Sequence, residues 1–217
     1  MTIKETKQIR KKKHMNHPDI TIGVLALQGD FLEHIQMLKR IGVKTKEIKQ
    51  AADLENIDGI ILPGGESTTI AYLLDAFGLR EILIQKIQDG LPAFGTCAGM
   101  IILAKKLVQA LPIPLGLMDI TVNRNAFGRQ IDSFEVPLPI KPLGDKLFSA
   151  TFIRAPIIEK TGPDVEILAT LADGTIAAVK QKNILATAFH PELTRDTRFH
   201  EYFISKIPLA NLIPYVL

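Results

Sequence analysis

Apolar and polar positions fall in alternating blocks along the chain. Ile22 to Leu27 is a near-continuous apolar run, the pattern of a strand buried on both faces. Gln28-Gly29-Asp30 breaks the run, and Phe31, Leu32, Ile35, Leu38 and Ile41 then recur at helical spacing as far as Gly42,. Asp30 with Glu33 has the form of a capping box for that helix,. The unit repeats. Gly59 to Leu62 predicts a strand and Pro63 to Ser67 its loop, with Ile70, Leu73, Leu74 and Phe77 on one face of a helix that Gly78 ends,. A further helix from about Leu79 stops at Gly90, and Pro92-Ala93-Phe94 leads through Gly95-Thr96-Cys97-Ala98-Gly99 into an apolar helix over Met100 to Val108. Beyond Pro112 the texture turns to strands: Ile120 to Asn123, Ser133 to Val136, Phe152-Ile153, Val165 to Leu171 and Thr175 to Val179. Ala172-Asp173-Gly174 is a hairpin turn, with a weaker one at Gln181-Lys182-Asn183,. A last helix starting near Thr194 carries Phe199, Tyr202, Phe203 and Ile207.

Strands alternating with helices predict an α/β fold, a three-layer arrangement whose mostly parallel central sheet is flanked by helices, followed by a β-rich C-terminal half. No repeat or linker divides residues 18–217, which read as one domain. With 217 residues, 47% of them hydrophobic, the chain can bury about 70% of its unfolded surface without disulfides. Its lone cysteine, Cys97, cannot form an intrachain bridge, which is compatible with the cytoplasm.

The net charge of +3 invites a nucleic-acid reading until it is located. Residues 1–17 hold Lys4, Lys7, Arg10, Lys11, Lys12 and Lys13 against Glu5, a net +5 that leaves −2 for the remainder. That basic leader lacks the apolar core of a secretory signal and reads as a solvated, disordered tail, with Met15 as a possible start. A localisation signal or anionic docking segment is the alternative. No stretch approaches the roughly 18 apolar residues of a membrane span. Neither a nucleic-acid nor a membrane partner is therefore expected.

In open α/β sheets ligands gather at the carboxyl ends of strands, so the loops at Gln28-Gly29, Gly64 to Ser67 and Gly95 to Gly99 are expected to converge. Gly95-Thr96-Cys97-Ala98-Gly99 has the G-x-C-x-G form of a nucleophile elbow between strand and helix,. Such a turn exposes the thiol at a helix N-terminus, which favours thiolate. A lone cysteine is more often a small packed apolar residue, but the strand-to-helix setting favours chemistry. Gly64-Gly65-Glu66-Ser67 is an N–H-rich loop fit for an anion or an oxyanion; it also reads as a plain turn with Ser67 or Thr68 as N-cap. It lacks the patterns of nucleotide loops, so no cofactor is expected. In Phe189-His190-Pro191-Glu192, Glu192 can orient His190 and His190 can serve Cys97,. His14, His17, His34 and His200 have no comparable setting, and no cluster has metal-ligand spacing,.

These residues together resemble the class I, triad-type glutamine amidotransferases, and within them the glutaminase subunit of pyridoxal 5'-phosphate synthase. The branch is marked by Gly23 to Gly29, Leu62 to Thr69, Phe94 to Gly99, Arg124-Asn125-Ala126-Phe127-Gly128-Arg129-Gln130, Phe152-Ile153-Arg154-Ala155-Pro156 and Phe189 to Leu193. The resemblance implies a flavodoxin-like fold and a catalytic triad of Cys97, His190 and Glu192. It also implies oxyanion donors at the Gly65 and Ala98 N–H groups, and glutamine contacts at Gly65, Glu66, Ser67, Arg124, Ile153 and Arg154. Arg124 and Arg154 suit the α-carboxylate of free glutamine; taken without the family, surface salt bridging explains them equally well. The implied partner is a (β/α)8-barrel synthase that receives the ammonia, with twelve glutaminases on a dodecameric core, and Gln28 is implied in assembling the oxyanion hole. The alternatives are an elbow-cysteine peptidase or stress-response protein, and a non-catalytic regulatory subunit.

Overall fold

The computed structural model describes residues 19–124 and 133–208. The basic leader, the Asn125-Ala126-Phe127-Gly128-Arg129-Gln130 stretch and the last residues lie outside the described residues.

The first half runs β1 (Thr21–Leu25), α1 (Phe31–Arg40), β2 (Lys44–Ile48), β3 (Gly59–Leu62), α2 (Ser67–Ala76), α3 (Arg80–Gln88), β4 (Ala93–Thr96) and α4 (Ala98–Leu103). The second runs β5 (Ala104–Leu107), β6 (Met118–Asn123), β7 (Ser133–Leu138), β8 (Phe148–Ile153), β9 (Ile157–Thr161), β10 (Glu166–Thr170), β11 (Ile176–Gln181), β12 (Ile184–Thr187) and α5 (Arg198–Ile204). One ten-stranded sheet has the order β2-β1-β3-β4-β12-β11-β9-β6-β5, with β10 beside β11, while β7 and β8 form a separate antiparallel pair. From β2 to β12 every neighbour is parallel. Beyond β12 the pairings of β11, β9 and β10 are antiparallel, so the β-rich half turns the sheet mixed.

The parallel half follows the apolar pattern. β3 and β4 are buried at every residue, and α1 packs Ile35 and Leu38 inward. Three local readings change. The helix after the elbow ends at Leu103 rather than Val108, because the N–H groups of Leu115, Leu117 and Gly116 take the carbonyls of Ile102, Leu103 and Ala104. Lys105 and Lys106 then lie exposed on β5. Phe77 does not join the buried face of α2; it follows the helix and is 53% exposed. The last helix begins at Arg198, since Pro191–Leu193 first forms a 3-10 turn. Beneath the carboxyl ends of β4 and β12, Phe94, Phe148, Phe152, Phe189, Phe199 and Phe203 form a buried aromatic cluster, with Phe94 stacked on Phe199 at 5.6 Å.

Candidate active site

β4 ends at Thr96 and α4 starts at Ala98, leaving Cys97 alone in the turn. Its φ of 46° and ψ of −101° are a strained conformation for a residue with a side chain, costing on the order of 1–3 kcal/mol. Two backbone hydrogen bonds hold it: the Cys97 N–H donates to the Thr187 carbonyl at 2.8 Å, and the Cys97 carbonyl accepts from Ile101 at 3.2 Å. The flanking glycines are steric necessities. A Cβ on Gly95 would lie 2.6 Å from the Gly99 carbonyl carbon, and one on Gly99 would lie 1.9 Å from the Leu62 oxygen. The local sequence thus folds into an elbow because strand, turn and helix touch backbone to backbone.

β12 continues into Ala188 and Phe189, both buried, and delivers His190 and Glu192 beside the elbow. The His190 N–H donates to the Thr151 carbonyl at 2.8 Å, tying this segment to β8. His190 Nδ1 lies 2.7 Å from Glu192 Oε1, and the ring stands beside Cys97 closely enough to feel its charge. With Nδ1 engaged by Glu192, the Nε2 side is the one left for the thiol. Gly64 makes room for the ring, since a Cβ there would sit 2.3 Å from His190 Cε1. Burial works against a charged His190, but hydrogen bonds to Cys97 and Glu192, and their charges, push it up to about 10. Glu192 is raised too, by burial first, with His190 pulling it back. The proton of this pair belongs on His190, which faces acceptors on both sides.

The three loops do meet. The Asp30 N–H donates to the Gly64 carbonyl at 3.1 Å, and the Glu66 N–H donates to Gln28 Oε1 at 2.8 Å. Because a trans peptide opposes its C=O and N–H, the first bond turns the Gly65 N–H away from the β1 loop. The Asp30 capping box is not made; Asp30 precedes α1 without a side-chain cap, and its Oδ2 stands 3.5 Å from His190 Nδ1. Neither Ser67 nor Thr68 caps α2. Glu66 does, accepting from Thr68 N at 3.0 Å and Thr69 N at 2.6 Å. Burial opposes its charge, but these bonds win and hold the carboxyl below its ordinary range. Arg124 reaches Glu66 Oε1 at 3.3 Å and Thr68 Oγ1 at 3.1 Å, and its Nη1 donates to the Leu111 carbonyl at 2.6 Å.

All these groups open on one cleft of about 640 Å³. Its walls include Asp30, Gly65, Glu66, Ser67, Cys97, Ile101, Arg124, Ser133, Ile153, Arg154 and His190. Arg154 carries a second strained backbone, φ 42°, next to Ile153, whose carbonyl lies 4.0 Å from the Cys97 Sγ. The structure thus brings Cys97, His190 and the residues implied in glutamine contact to one cleft, with Glu192 buried behind it. Ala98 opens α4 beside them, so its N–H has no acceptor within the helix,. Another cavity, about 330 Å³ at the start of β12 among Gln88, Lys105, Asp119 and Asn183, is lined by no cysteine, serine, threonine or histidine.

Residues 24–209 match the SNO glutamine amidotransferase family. The chain belongs to that family. The chain is 56% identical over 185 residues to a Dehalococcoides mccartyi protein named pyridoxal 5'-phosphate synthase subunit PdxT, covering 84% of this chain and 95% of the relative. It is 54% identical to the protein of the same name from Herpetosiphon aurantiacus, over 85% and 99% of the two chains. A crystal structure of a glutamine amidotransferase superposes with a TM-score of 0.81 at 46% identity, covering 86% and 98%. PurLQS from Thermotoga maritima shares the fold alone, with a TM-score of 0.64 at 15% identity over 88% and 100%. The family is therefore that of enzymes using glutamine, and the fold is the class I amidotransferase fold.

Two residues of the site's surroundings escape the sequence reading. His34, on α1, and His200, on α5, are fully buried and meet behind Glu192. His34 follows the apolar stripe of α1, four residues before Leu38, and His200 sits between buried Phe199 and Phe203. A polar ring on a buried stripe was the available signal. The fold also gathers Asp30, His190 and Glu192 so that their ligand atoms lie within 4.8 Å of one another, a proximity no sequence spacing announces. His190 Nδ1 is already engaged by Glu192 at 2.7 Å, which suits an acid–base pair. Among the described residues no helix is long and apolar enough to cross a membrane.

Proposed function

We propose that this chain hydrolyses L-glutamine to L-glutamate and ammonia, and delivers the ammonia to a (β/α)8-barrel synthase that makes pyridoxal 5'-phosphate. The observation that carries the reading is the strained elbow at Cys97 facing a His190 whose second nitrogen is fixed by Glu192. The names of the relatives at 54–56% identity support the pathway.

In this reading His190 already holds the proton, and the Cys97 sulfur beside it attacks the carboxamide carbon of glutamine. The oxyanion is held by the N–H groups of Gly65 and Ala98, each worth about 3–4 kcal/mol in comparable acyl transfers. His190 returns the proton to the departing nitrogen as the C–N bond breaks and ammonia leaves. Water, deprotonated by His190, then attacks the thioester, releasing glutamate and restoring the free Cys97 sulfur beside a protonated His190. Glu192 keeps the imidazole in the productive tautomer and balances its charge. Gln28 fixes the Gly65-Glu66 peptide through its bond to the Glu66 N–H. Glu66 and Ser67 shape the wall of the cleft, Arg124 and Arg154 bring guanidinium groups for the α-carboxylate, and Ile153 closes the site over the thiol. The chemistry runs on protein groups, with no metal or cofactor assigned. In this reading the chain works in the cytoplasm as one of twelve glutaminases on a dodecameric synthase.

Cys97→Ala tests this directly. Glutamine-dependent ammonia release, assayed with the cognate synthase, is expected to fall by about 10⁴-fold or more. Retained release by the variant, or peptide hydrolysis without glutaminase activity in the wild type, overturns the reading.

A further inference from the structure

Glu192 has two oxygens and only one is used by the triad. Oε1 meets His190 at 2.7 Å. Oε2 is fully buried and makes no hydrogen bond, yet His34 Nε2 stands 3.4 Å from it. The same nitrogen is 3.1 Å from Thr96 Oγ1, and the opposite nitrogen, Nδ1, is 2.9 Å from His200 Nε2. His200 Nδ1 completes the line, buried and without a partner. A chain of side chains thus runs from the thiol through His190, Glu192 and His34 to His200, joining the elbow to α1 and α5.

The protons along this chain can be placed. Both outer rings are neutral: burial, then the neighbouring His200 and His190, keep His34 well below its ordinary value, and burial holds His200 at about 3. Each ring therefore carries one N–H. If His34 bore its proton on Nδ1, a bare Nε2 would face the buried carboxylate oxygen, lone pair against lone pair. His200 would then have to accept at Nε2 and bury an unpaired N–H at Nδ1. The opposite assignment satisfies the contacts: His200 Nε2–H donates to His34 Nδ1, and His34 Nε2–H donates to Thr96 Oγ1 while turning its positive end toward Glu192 Oε2, 3.4 Å away. Only the bare His200 Nδ1 is then left, and an unfilled acceptor is the commoner kind of orphan.

We propose that His34 is a positioning residue for the glutaminase reaction: its Nε2–H, oriented by His200 and Thr96, anchors the outer oxygen of Glu192 and so holds the carboxylate in line with His190. The proposal rests on the glutaminase reading above. His34 touches no substrate; it acts by denying Glu192 the rotation that would lengthen its bond to His190, and by supplying the buried carboxylate with a second donor dipole. While His190 gives up and regains its proton in the reaction, the carboxylate that balances it is kept in place from its outer side.

The test uses the full chain with its synthase, wild type beside His34→Leu and His34→Gln. Gln keeps an N–H donor near the Nε2 position; Leu keeps only bulk. His34→Leu is expected to lower kcat for glutamine by about tenfold or more, the order for stranding a buried charged acceptor, with KM for glutamine little changed. His34→Gln is expected to recover most of the loss. In the wild type, nitrogen-15 spectra of the imidazoles are expected to show His34 and His200 both as Nε2–H tautomers, and the low-field proton of the His190–Glu192 hydrogen bond is expected to move in His34→Leu. A folded His34→Leu with wild-type kcat, or a bare His34 Nε2 in the wild-type spectra, overturns the proposal. Should His34→Leu not fold, the wild-type spectra decide. A wild type that releases no ammonia from glutamine counts instead against the glutaminase reading.

Discussion

Glu192 separates two kinds of histidine. On its cleft side, His190 is buried yet pushed up to about 10, because Cys97 and Glu192 both accept from it. On its inner side, His34 and His200 are buried as deeply and pushed the other way, with His200 at about 3. Burial disfavours the cation in all three; what differs is the number of acceptors that a charged ring would face. The comparison teaches that one carboxylate serves two roles through its two oxygens. Oε1 faces the ring that holds a proton, and Oε2 faces a ring that stays neutral.

Removing the carboxylate charge should erase the contrast. Glu192→Gln keeps the shape but can leave His190 in the wrong tautomer, and the ammonia-release rate is expected to fall by about 10³–10⁴-fold. Retention of more than a tenth of the rate would break the comparison on its cleft side. A smaller effect sharpens it. While His190 holds its proton, below about 10, its positive charge stands beside the Cys97 sulfur. Alkylation of Cys97 by iodoacetamide is therefore expected to remain fast at pH 6.5 in the wild type. In His190→Asn that neighbouring charge is gone, and the rate at pH 6.5 is expected to drop by about 100-fold. Equal pH profiles for the two proteins would contradict the assigned pairing.

The inner pair makes the smallest and most general prediction. For a ring whose folded value is depressed, the unfolded chain binds the proton first, so stability is complete above the unfolded value near 6.5 and is lost as pH falls toward the folded value. For His200 that window runs from about 6.5 down to about 3. Unfolding free energies from urea titration should fall between pH 7.5 and pH 5, by about 2 kcal/mol for each ring that stays neutral. His200→Asn should remove part of that slope. An unchanged slope would mean that His200 is not held neutral by the fold.

The legibility of the molecule follows the same division. The parallel strands and the elbow could be read because backbones that touch demand glycine at fixed places, as at Gly95 and Gly99. Apolar runs such as Gly59–Leu62 likewise reflect burial on both faces. β2 was hidden for the opposite reason: Lys44–Ile48 lies at the sheet edge with only Ile48 buried, so it shows no apolar alternation,. The end of α4 was hidden because distant residues, Leu115 to Leu117, capture its last carbonyls. His190-Pro191-Glu192 stood out by local spacing, whereas His34 and His200 are 166 residues apart and meet only in the fold. Asp30 shows how a local rule loses to a tertiary one: it fits a capping box, yet its carboxylate stands beside His190.

The central claim is that Cys97 is the nucleophile that takes the glutamyl group. Incubation with 6-diazo-5-oxo-norleucine, an electrophilic glutamine analogue, followed by intact-mass and peptide mapping of the protein assembled with its synthase, tests it most directly. The account predicts one covalent adduct, on Cys97, with ammonia release lost in proportion to its occupancy. An adduct on another residue, or full ammonia release from protein completely modified at Cys97, would contradict it.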